Sequence, residues 1–480
     1  MSFQFSADLN TDKIFLINHK NLEGRLDAEY YQPSHYRDIN LLVNSPYPLD
    51  KLDNVCTRIV DGPFGSAIKA EDYVEEGIPF IRVADITHGE GTIKTDNLIF
   101  ISNEAHQKIS RSKIVPGDVV IAKTGATMGA ASVVPESIVE ANIRGDLGAL
   151  TVIEKICSPQ YLITYINTEI GQRLFWRLDS GGTRGRVVIG NLKKYPILIP
   201  PKEIQAEIVT RMGAAYEGKN QKETEAQRLL DSIDAYLLDE LGIQLPEAKE
   251  NTVEKQVFIL QFKELQSRLD PFFYKKEFKV IEMNISKSPW KVVSLEEIFQ
   301  INRGGSPRPI NNYFTDEEDG INWIKIGDTK NDDKYIYQTK QKIKPEGAKH
   351  SRKVSEGDFI LSNSMSFGRP YIMKISGYIH DGWLLFKPKT TNINKDYLHS
   401  ILSSQLIYKL FKKSTLGGVV DNLNIDLVKK VKIPLPSLNK QNEIANHITT
   451  IRNQAKQLQQ QAKTELAQAK QEVEQLILGE

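Results

Sequence analysis

These 480 residues offer little with which to bind a metal, form a disulfide or cross a membrane. There are two cysteines, Cys56 and Cys157, far apart and without a CxxC or Cys/His neighbourhood, so a zinc site built from sequence-local ligands is excluded and a reducing compartment is expected. No run of about 18 apolar residues occurs, and so no membrane span is expected. The opening MSFQFSADLNTDK lacks the basic-then-apolar layout of a secretory signal, which makes the expected localisation cytoplasmic. Charge of one sign is missing as well. Sixty-two Lys and Arg against 61 Asp and Glu leave a net charge of +1, which argues neither for nor against a polyanionic partner. A nucleic-acid binder with this balance must concentrate its positive charge locally or borrow it from partners.

Catalytic signatures are also scarce. DNA methyltransferases need an (N/D)PPY-type loop beside the methyl donor, whereas the Pro-Pro here, Pro200-Pro201, lies in Ile-Pro-Pro-Lys. There is no G-x-x-x-x-G-K-[ST] to cradle a phosphate; in Lys123-Thr-Gly-Ala-Thr-Met-Gly129 the Lys and Thr precede the glycines. The eight histidines are scattered, without HExxH spacing. The chain is expected to be non-catalytic and to hold no cofactor or metal of its own.

What the sequence does have, it has twice. Gly24-Arg-Leu-Asp-Ala-Glu-Tyr-Tyr31 returns as Ser267-Arg-Leu-Asp-Pro-Phe-Phe-Tyr274. Pro79-Phe-Ile-Arg-Val-Ala-Asp85 returns as Asn322-Trp-Ile-Lys-Ile-Gly-Asp328, and Pro116-Gly-Asp-Val-Val-Ile121 as Glu356-Gly-Asp-Phe-Ile-Leu361. Gly181-Gly182 matches Gly417-Gly418, Ile197-Leu-Ile-Pro200 matches Ile433-Pro-Leu-Pro436, and Gln205-Ala-Glu-Ile208 matches Gln441-Asn-Glu-Ile444. Collinear matches at a slowly drifting spacing mean a tandem duplication.

Each copy ends in a long helical pattern. From Ser437 to Gly479, apolar residues at Ile444, Ile448, Ile451, Ala455, Leu458, Ala462, Leu466, Ala469, Val473 and Leu476 form a coiled-coil seam about 60 Å long. A seam so narrow needs a second helix. Lys202 to Leu241 has matching length and apolar positions at Ile204, Ile208, Met212, Leu230, Ile233 and Leu237, with a polar middle containing Gly218. A coiled coil between two chains is the alternative. The expected fold is α+β: two tandem mixed α/β modules separated by two long antiparallel helices with an approximate two-fold. The expected segments are 1–20, a first module 21–201, a helix 202–242, a linker 243–256, a second module 257–436 and a helix 437–480.

Turn-flanked basic and hydrogen-bonding residues are the remaining candidates for function. In the first module they are Ser66, Lys69, Arg82, Lys123, Thr124, Thr127, Arg184 and Arg186; in the second, Arg303, Ser306, Arg308, Lys325, Ser362, Asn363, Ser364, Arg369 and Lys412. Arg and Lys suit phosphates and guanine edges, Asn can pair with adenine, and glycines allow close approach. Each residue taken singly could equally be a solvated loop residue, and Arg82 and Lys325 strand residues facing water. Differences inside a shared frame, Asp-Gly-Pro-Phe-Gly-Ser against Arg-Gly-Gly-Ser-Pro-Arg, are what two readers of different short sequences would carry.

The chain resembles the specificity subunits of type I restriction–modification systems over nearly its whole length. The resemblance rests on the Gly-Asp-hydrophobic strand with its Gly turn (Pro116–Gly129 and Glu356–Gly368) and on the Ile-Pro-Leu-Pro…Gln-x-Glu-Ile helix entry (Ile197–Ile208 and Ile433–Ile444). It implies a bacterial or archaeal protein with two target-recognition domains, each binding half of a split, asymmetric site on double-stranded DNA. It implies two methyltransferase subunits that use S-adenosylmethionine, and two restriction subunits that use ATP and Mg. Gln205, Glu207, Gln441 and Glu443, at the helix entries, are the expected docking residues. Half-sites on one face of the duplex lie about 34–36 Å apart, within the reach of a helix pair of about 60 Å. The rival readings are a methylation-only or related defence complex, a single-chain DNA-modifying enzyme, and a scaffold without DNA contact.

Overall fold

The computed structural model describes all residues except 1–13, 23–25, 64–66, 88, 181–184, 245–258, 263–264, 266–269, 331–332, 365–366 and 416–421. The chain divides into two compact units, one of Met1–Glu223 with Gln459–Glu480 and one of Thr224–Leu458. Both divisions fall inside the long helices and not where the composition changes. The physical reason is in the packing, because the two ends of each long helix are buried in different cores.

In the first unit a short pair, β1 (Leu49–Lys51) with β11 (Pro196–Leu198), joins the module's start to its end. The central sheet has the order β2-β10-β7-β8 and is antiparallel throughout, with β2 Cys56–Asp61, β7 Val119–Ala122, β8 Ala131–Val133 and β10 Leu147–Val152. The second sheet runs β3-β5-β4-β9-β6, from β3 Tyr73–Val74, β4 Ile78–Ile81, β5 Ile99–Ile101, β6 Lys113–Ile114 and β9 Ala141–Ile143. Its β4 and β9 are parallel, pairing Phe80 with Asn142 and Ile81 with Ile143.

The second unit repeats this plan. β12 (Lys291–Ser294) pairs with β23 (Lys432–Leu435). The central sheet is β13-β22-β19-β20-β16, from β13 Phe299–Arg303, β16 Tyr335–Ile336, β19 Phe359–Ser362, β20 Pro370–Met373 and β22 Trp383–Pro388. The other is β14-β17-β15-β21-β18, from β14 Phe314–Thr315, β15 Ile321–Ile324, β17 Gln341–Ile343, β18 Arg352–Val354 and β21 Gly377–Ile379. Here too the central pair is parallel, Trp323 facing Tyr378 and Ile324 facing Ile379.

The repeated Gly-Asp dipeptide builds the entry to the innermost strand. Gly117 and Gly357 adopt φ of 85° and 82°, left-handed values that a side chain disfavours. The following carboxylates close the turn: Asp118 accepts from the Val115 amide at 3.1 Å and Asp358 from the Ser355 amide at 2.8 Å. The strands behind them, Val119–Ala122 and Phe359–Ser362, are buried at every position, which explains their continuous apolar runs. Both motifs therefore serve the scaffold.

The long helices span Lys202–Glu240 and Leu438–Leu478 without interruption. In the first unit Ile208 and Met212, early in one helix, share a core with Val473 and Ile477, late in the other. In the second unit the roles exchange, Ile233, Leu237 and Leu241 packing with Ile444, Ile448 and Ile451. Each unit thus receives one helix start and one helix end, an antiparallel pairing. The polar middle of the first helix is continuous and ion-paired, Lys222 lying 2.7 Å from Glu465 and Lys219 3.3 Å from Glu223. Both cysteines are free and buried, and burial pushes their thiols up to about 12.

Candidate nucleic-acid interface

In each half, four segments meet at one end of the central sheet, and the backbone that brings them together is the same. In the first half the Gly62 amide donates to Leu147 O (3.2 Å), the Lys123 amide to Asp146 O (2.9 Å), and the Val187 amide to Lys123 O (2.9 Å). In the second, Gly304 donates to Trp383 O (2.8 Å), Asn363 to Gly382 O (2.7 Å), and Leu423 to Asn363 O (3.0 Å). Bridges between Thr124 and Arg186, and between Ser364 and Asn422, complete the two corners. Glycine is needed at both crossings: a Cβ on Gly62 would stand 2.1 Å from Arg144 O, and one on Gly304 2.1 Å from His380 O.

Different side chains fill the two frames. In the first corner Lys123 is 1% exposed and its ammonium pairs with Asp61, the last residue of β2. Thr124 Oγ1 donates to Asp146 Oδ1 at 3.1 Å, and Arg144 Nε lies 3.8 Å from Asp146 Oδ2. The exposed Arg186 is positioned by its amide, which donates to Asp179 Oδ1 at 2.7 Å. In the second corner the place of Lys123 belongs to Asn363, equally buried, and neither its Oδ1 nor its Nδ2 has a hydrogen-bond partner among the described residues. The place of Asp61 belongs to Arg303, whose Nε donates to Asp381 O at 2.8 Å. Asp381 also accepts from Ser306 Oγ at 2.7 Å and has Arg308 Nη2 at 3.6 Å, with the Arg308 side chain 84% exposed. The Ser306 hydrogen bond, helped by nearby His380 and Arg303, holds the Asp381 carboxyl below the usual range. Burial lowers the His380 pKa and keeps its ring neutral near pH 7, against the pull of Asp381.

The sequence candidates therefore fall into groups. Lys123, Thr124 and Arg186 converge in the first corner, while Arg303, Ser306, Arg308, Asn363 and Ser364 converge in the second. Lys123, a candidate DNA contact from the sequence, is internal, its ammonium paired with Asp61. Ser362 is also buried and accepts from the Arg369 amide at 2.9 Å, tying the loop's two ends together. Thr127 is exposed on the first loop. Arg82 and Lys325 are turned away: Arg82 forks onto Asp85 (3.1 and 2.9 Å) and Asn97 O (3.0 Å), and Lys325 reaches Gln341. Exposed Lys69 lies 3.5 Å from Glu71, and exposed Lys412 lies 5.8 Å from the Phe272 ring centre. Ser66 and Arg184 lie outside the described residues. Sequence reasoning missed Asp61, Arg144, Asp146, His380 and Asp381; the glycines after Asp61 and Arg303 were the available pointer.

The expected docking residues separate in the same way. Gln205 Oε1 accepts from the Ser158 amide (3.0 Å) while its Nε2 donates to Ile156 O and Pro200 O (both 2.9 Å). Gln441 repeats the arrangement, accepting from the Asn394 amide (2.9 Å) and donating to Asn392 O (3.3 Å) and Pro436 O (2.9 Å). Both glutamines are buried, so each latches its module to the first turn of a long helix and offers no surface to a partner. Glu207 and Glu443 remain on the helix surface, paired with Arg211 and Lys440 at 2.8 Å.

A family model described as the type I restriction modification DNA specificity domain matches residues 62–230 and 287–468. The chain is similar to the type I restriction enzyme EcoBI specificity subunit of Escherichia coli, 28% identical over 145 residues, or 30% of each chain. It is also similar to the type I restriction enzyme MjaVIII specificity subunit of Methanocaldococcus jannaschii, 26% identical over 220 residues, which is 42% of this chain and 49% of that one. These matches thus span only 30% and 49% of the two curated relatives' length. A solved chain from work on complex assembly and conformational transition of the type I R-M system has the same fold, with a TM-score of 0.58 at 15% identity, covering 90% of this chain and 97% of its own.

Proposed function

The chain belongs to the family of type I restriction modification DNA specificity domains, and on that premise we propose that it reads a bipartite, asymmetric site on double-stranded DNA, one half-site per corner. The observation that carries this reading is the double corner itself. One strand order and one set of backbone crossings present Asp61, Lys123, Arg144 and Asp146 in one copy and Arg303, Asn363, His380 and Asp381 in the other. A reader of two different half-sites needs that combination of constant frame and variable chemistry.

Within each corner the residues divide by task. Exposed Arg186, Arg144 and Arg308 are placed to meet phosphates or guanine edges; Thr124, Ser306 and Ser364 are short hydrogen-bonding groups on the same loops. Asp146 and Asp381 orient Arg144 and Arg308 before DNA arrives, which limits the side-chain freedom lost on binding. The chain supplies no chemistry to the bases in this reading. Two methyltransferase subunits with S-adenosylmethionine, and two restriction subunits with ATP and Mg, supply it after docking on helix surfaces that include Glu207 and Glu443. The two long helices act as the spacer between half-sites.

The test is competition binding of the chain, assembled with its methyltransferase partners, against duplexes altered in one half-site at a time. Arg308→Ala is expected to cost about 1–3 kcal/mol and to relax discrimination at the second half-site only. Equal loss of discrimination at both half-sites, or none, would overturn the assignment.

A further inference from the structure

Beside the turn Gly89–Gly91, the first half contains a cavity of about 140 Å³. Ile163, Val209 and Met212 line it with apolar surface, and Tyr216 and Lys470 line it from the two long helices. Gly213 adds no side chain, and a Cβ there would meet nothing within 4 Å. The polar groups around it are mostly engaged. Asn167 is tied to the Ala131 backbone (3.0 and 3.4 Å), Thr168 Oγ1 donates to Tyr165 O (2.7 Å), Thr164 Oγ1 to Gln160 O (2.8 Å), and Glu90 pairs with Lys219 (2.6 Å).

Lys470 is different. Its ammonium lies 6.0 Å from the Tyr216 ring centre, and among the described residues no carboxylate stands within ion-pair distance of it. Burial pulls its pKa below the ordinary lysine value; Glu169 and Glu90 act on it only from farther away, and Lys219 opposes them. The equivalent positions of the second half carry different chemistry. The two helices share one register, fixed by Gln205 and Gln441, Ile208 and Ile444, and Leu237 and Val473. In that register Thr449 stands for Gly213, Arg452 for Tyr216, and Asp234 for Lys470. There the position of Gly213 carries a threonine side chain, and Asp396 and Asp234 favour the charge of the part-buried Arg452. The first half has the space and the cation without the carboxylate.

We propose that this cavity binds a small aliphatic carboxylate, its carboxylate pairing with Lys470 and its hydrocarbon end filling the space over Gly213. The apolar wall selects an alkyl group, the half-buried ammonium selects an anion, and a volume of about 140 Å³ suits a short branched chain. This inference is independent of how DNA is read.

Isovalerate titrated into the full-length chain, labelled at Ile and Met methyls, tests the proposal by NMR. Saturable shifts are expected at Ile163 and Met212. The uncharged 3-methylbutan-1-ol should bind about tenfold more weakly or worse, as loss of a charge-assisted contact implies. Lys470→Met should weaken binding similarly, Lys470→Arg should preserve it, and Gly213→Thr, which installs the residue of the second half, should abolish it. No saturable shift in the unaltered chain, or equal binding of acid and alcohol, overturns the proposal without recourse to any variant. Undiminished affinity in a folded Lys470→Met chain does the same.

Discussion

Asp61 and Arg303 close the same strand of two backbone frames that otherwise repeat, and what lies opposite each differs in kind. Asp61 meets a buried lysine and forms an internal ion pair, so the first corner keeps its charges to itself and exposes Arg144 and Arg186. Arg303 meets Asn363, a buried amide with neither polar side-chain atom hydrogen-bonded among the described residues, and the negative charge has moved to Asp381, where it organises Ser306 and Arg308. The lesson is that position in the fold and role in recognition are separable. Where the halves agree, residues build the frame; where they disagree, the frame is put to use.

The largest expected effect concerns a second disagreement, Ile163 against His399. Burial lowers the His399 pKa to about 3, from about 6.5 in an unfolded chain. A base whose pKa is depressed on folding binds protons more weakly when native, so stability falls as pH drops below about 6.5 and continues to fall until about 3. Each pH unit in that window costs about 1.4 kcal/mol. Fluorescence of buried Trp323 and Trp383 reports the second half, which should unfold progressively more easily in acid; His399→Ile, the residue of the first half, should remove most of this dependence. Unchanged acid sensitivity in that variant would dissociate it from His399.

Next come the charges of the first corner. Asp61→Asn leaves the Lys123 ammonium buried and unpaired, at a cost of about 3 kcal/mol, the low end for such pairs because Asp61 is itself partly exposed. The double variant Asp61→Leu/Lys123→Met should recover most of that loss. Hydrogen exchange on β7 and β10 would measure both, and a double variant as unstable as the single would show that the pair is not the cause.

The helix latches should follow. Gln205→Ala or Gln441→Ala removes three hydrogen bonds and leaves a part-buried amide, Ser158 or Asn394, without its acceptor, for about 1–3 kcal/mol in its own half only. Equal loss of protection in both halves would contradict the division into two cores. The smallest effect has the opposite sign: Asn363→Leu removes two polar atoms left unsatisfied by the described residues and should be neutral or stabilising by about 1 kcal/mol. A destabilised chain would mean that the amide has a partner of structural weight.

Much of the fold was legible in the sequence, because duplication doubles every weak signal: the modules, the antiparallel helices and the helix lengths all follow from it. The candidate site was legible only in part, for the same reason. Gln205, Gln441 and Ser362 drew attention by recurring or by lying in recurring turns, yet the structure places them inside, holding backbone together. Arg82 and Lys325 recur at the ends of β4 and β15, and their side chains fold back onto Asp85 and Gln341. Asp146 and Asp381 carry no such signal, since neighbours across a sheet leave no trace in local spacing and an acidic residue does not by itself point to a polyanion.

The most direct measurement is single-molecule mapping of adenine methylation in a host carrying this chain, the Arg308→Ala chain, or neither. The account predicts a split motif that depends on the chain, with the first half unchanged and the second degenerate in the variant. A single undivided motif, or a variant that blurs both halves together, would contradict it.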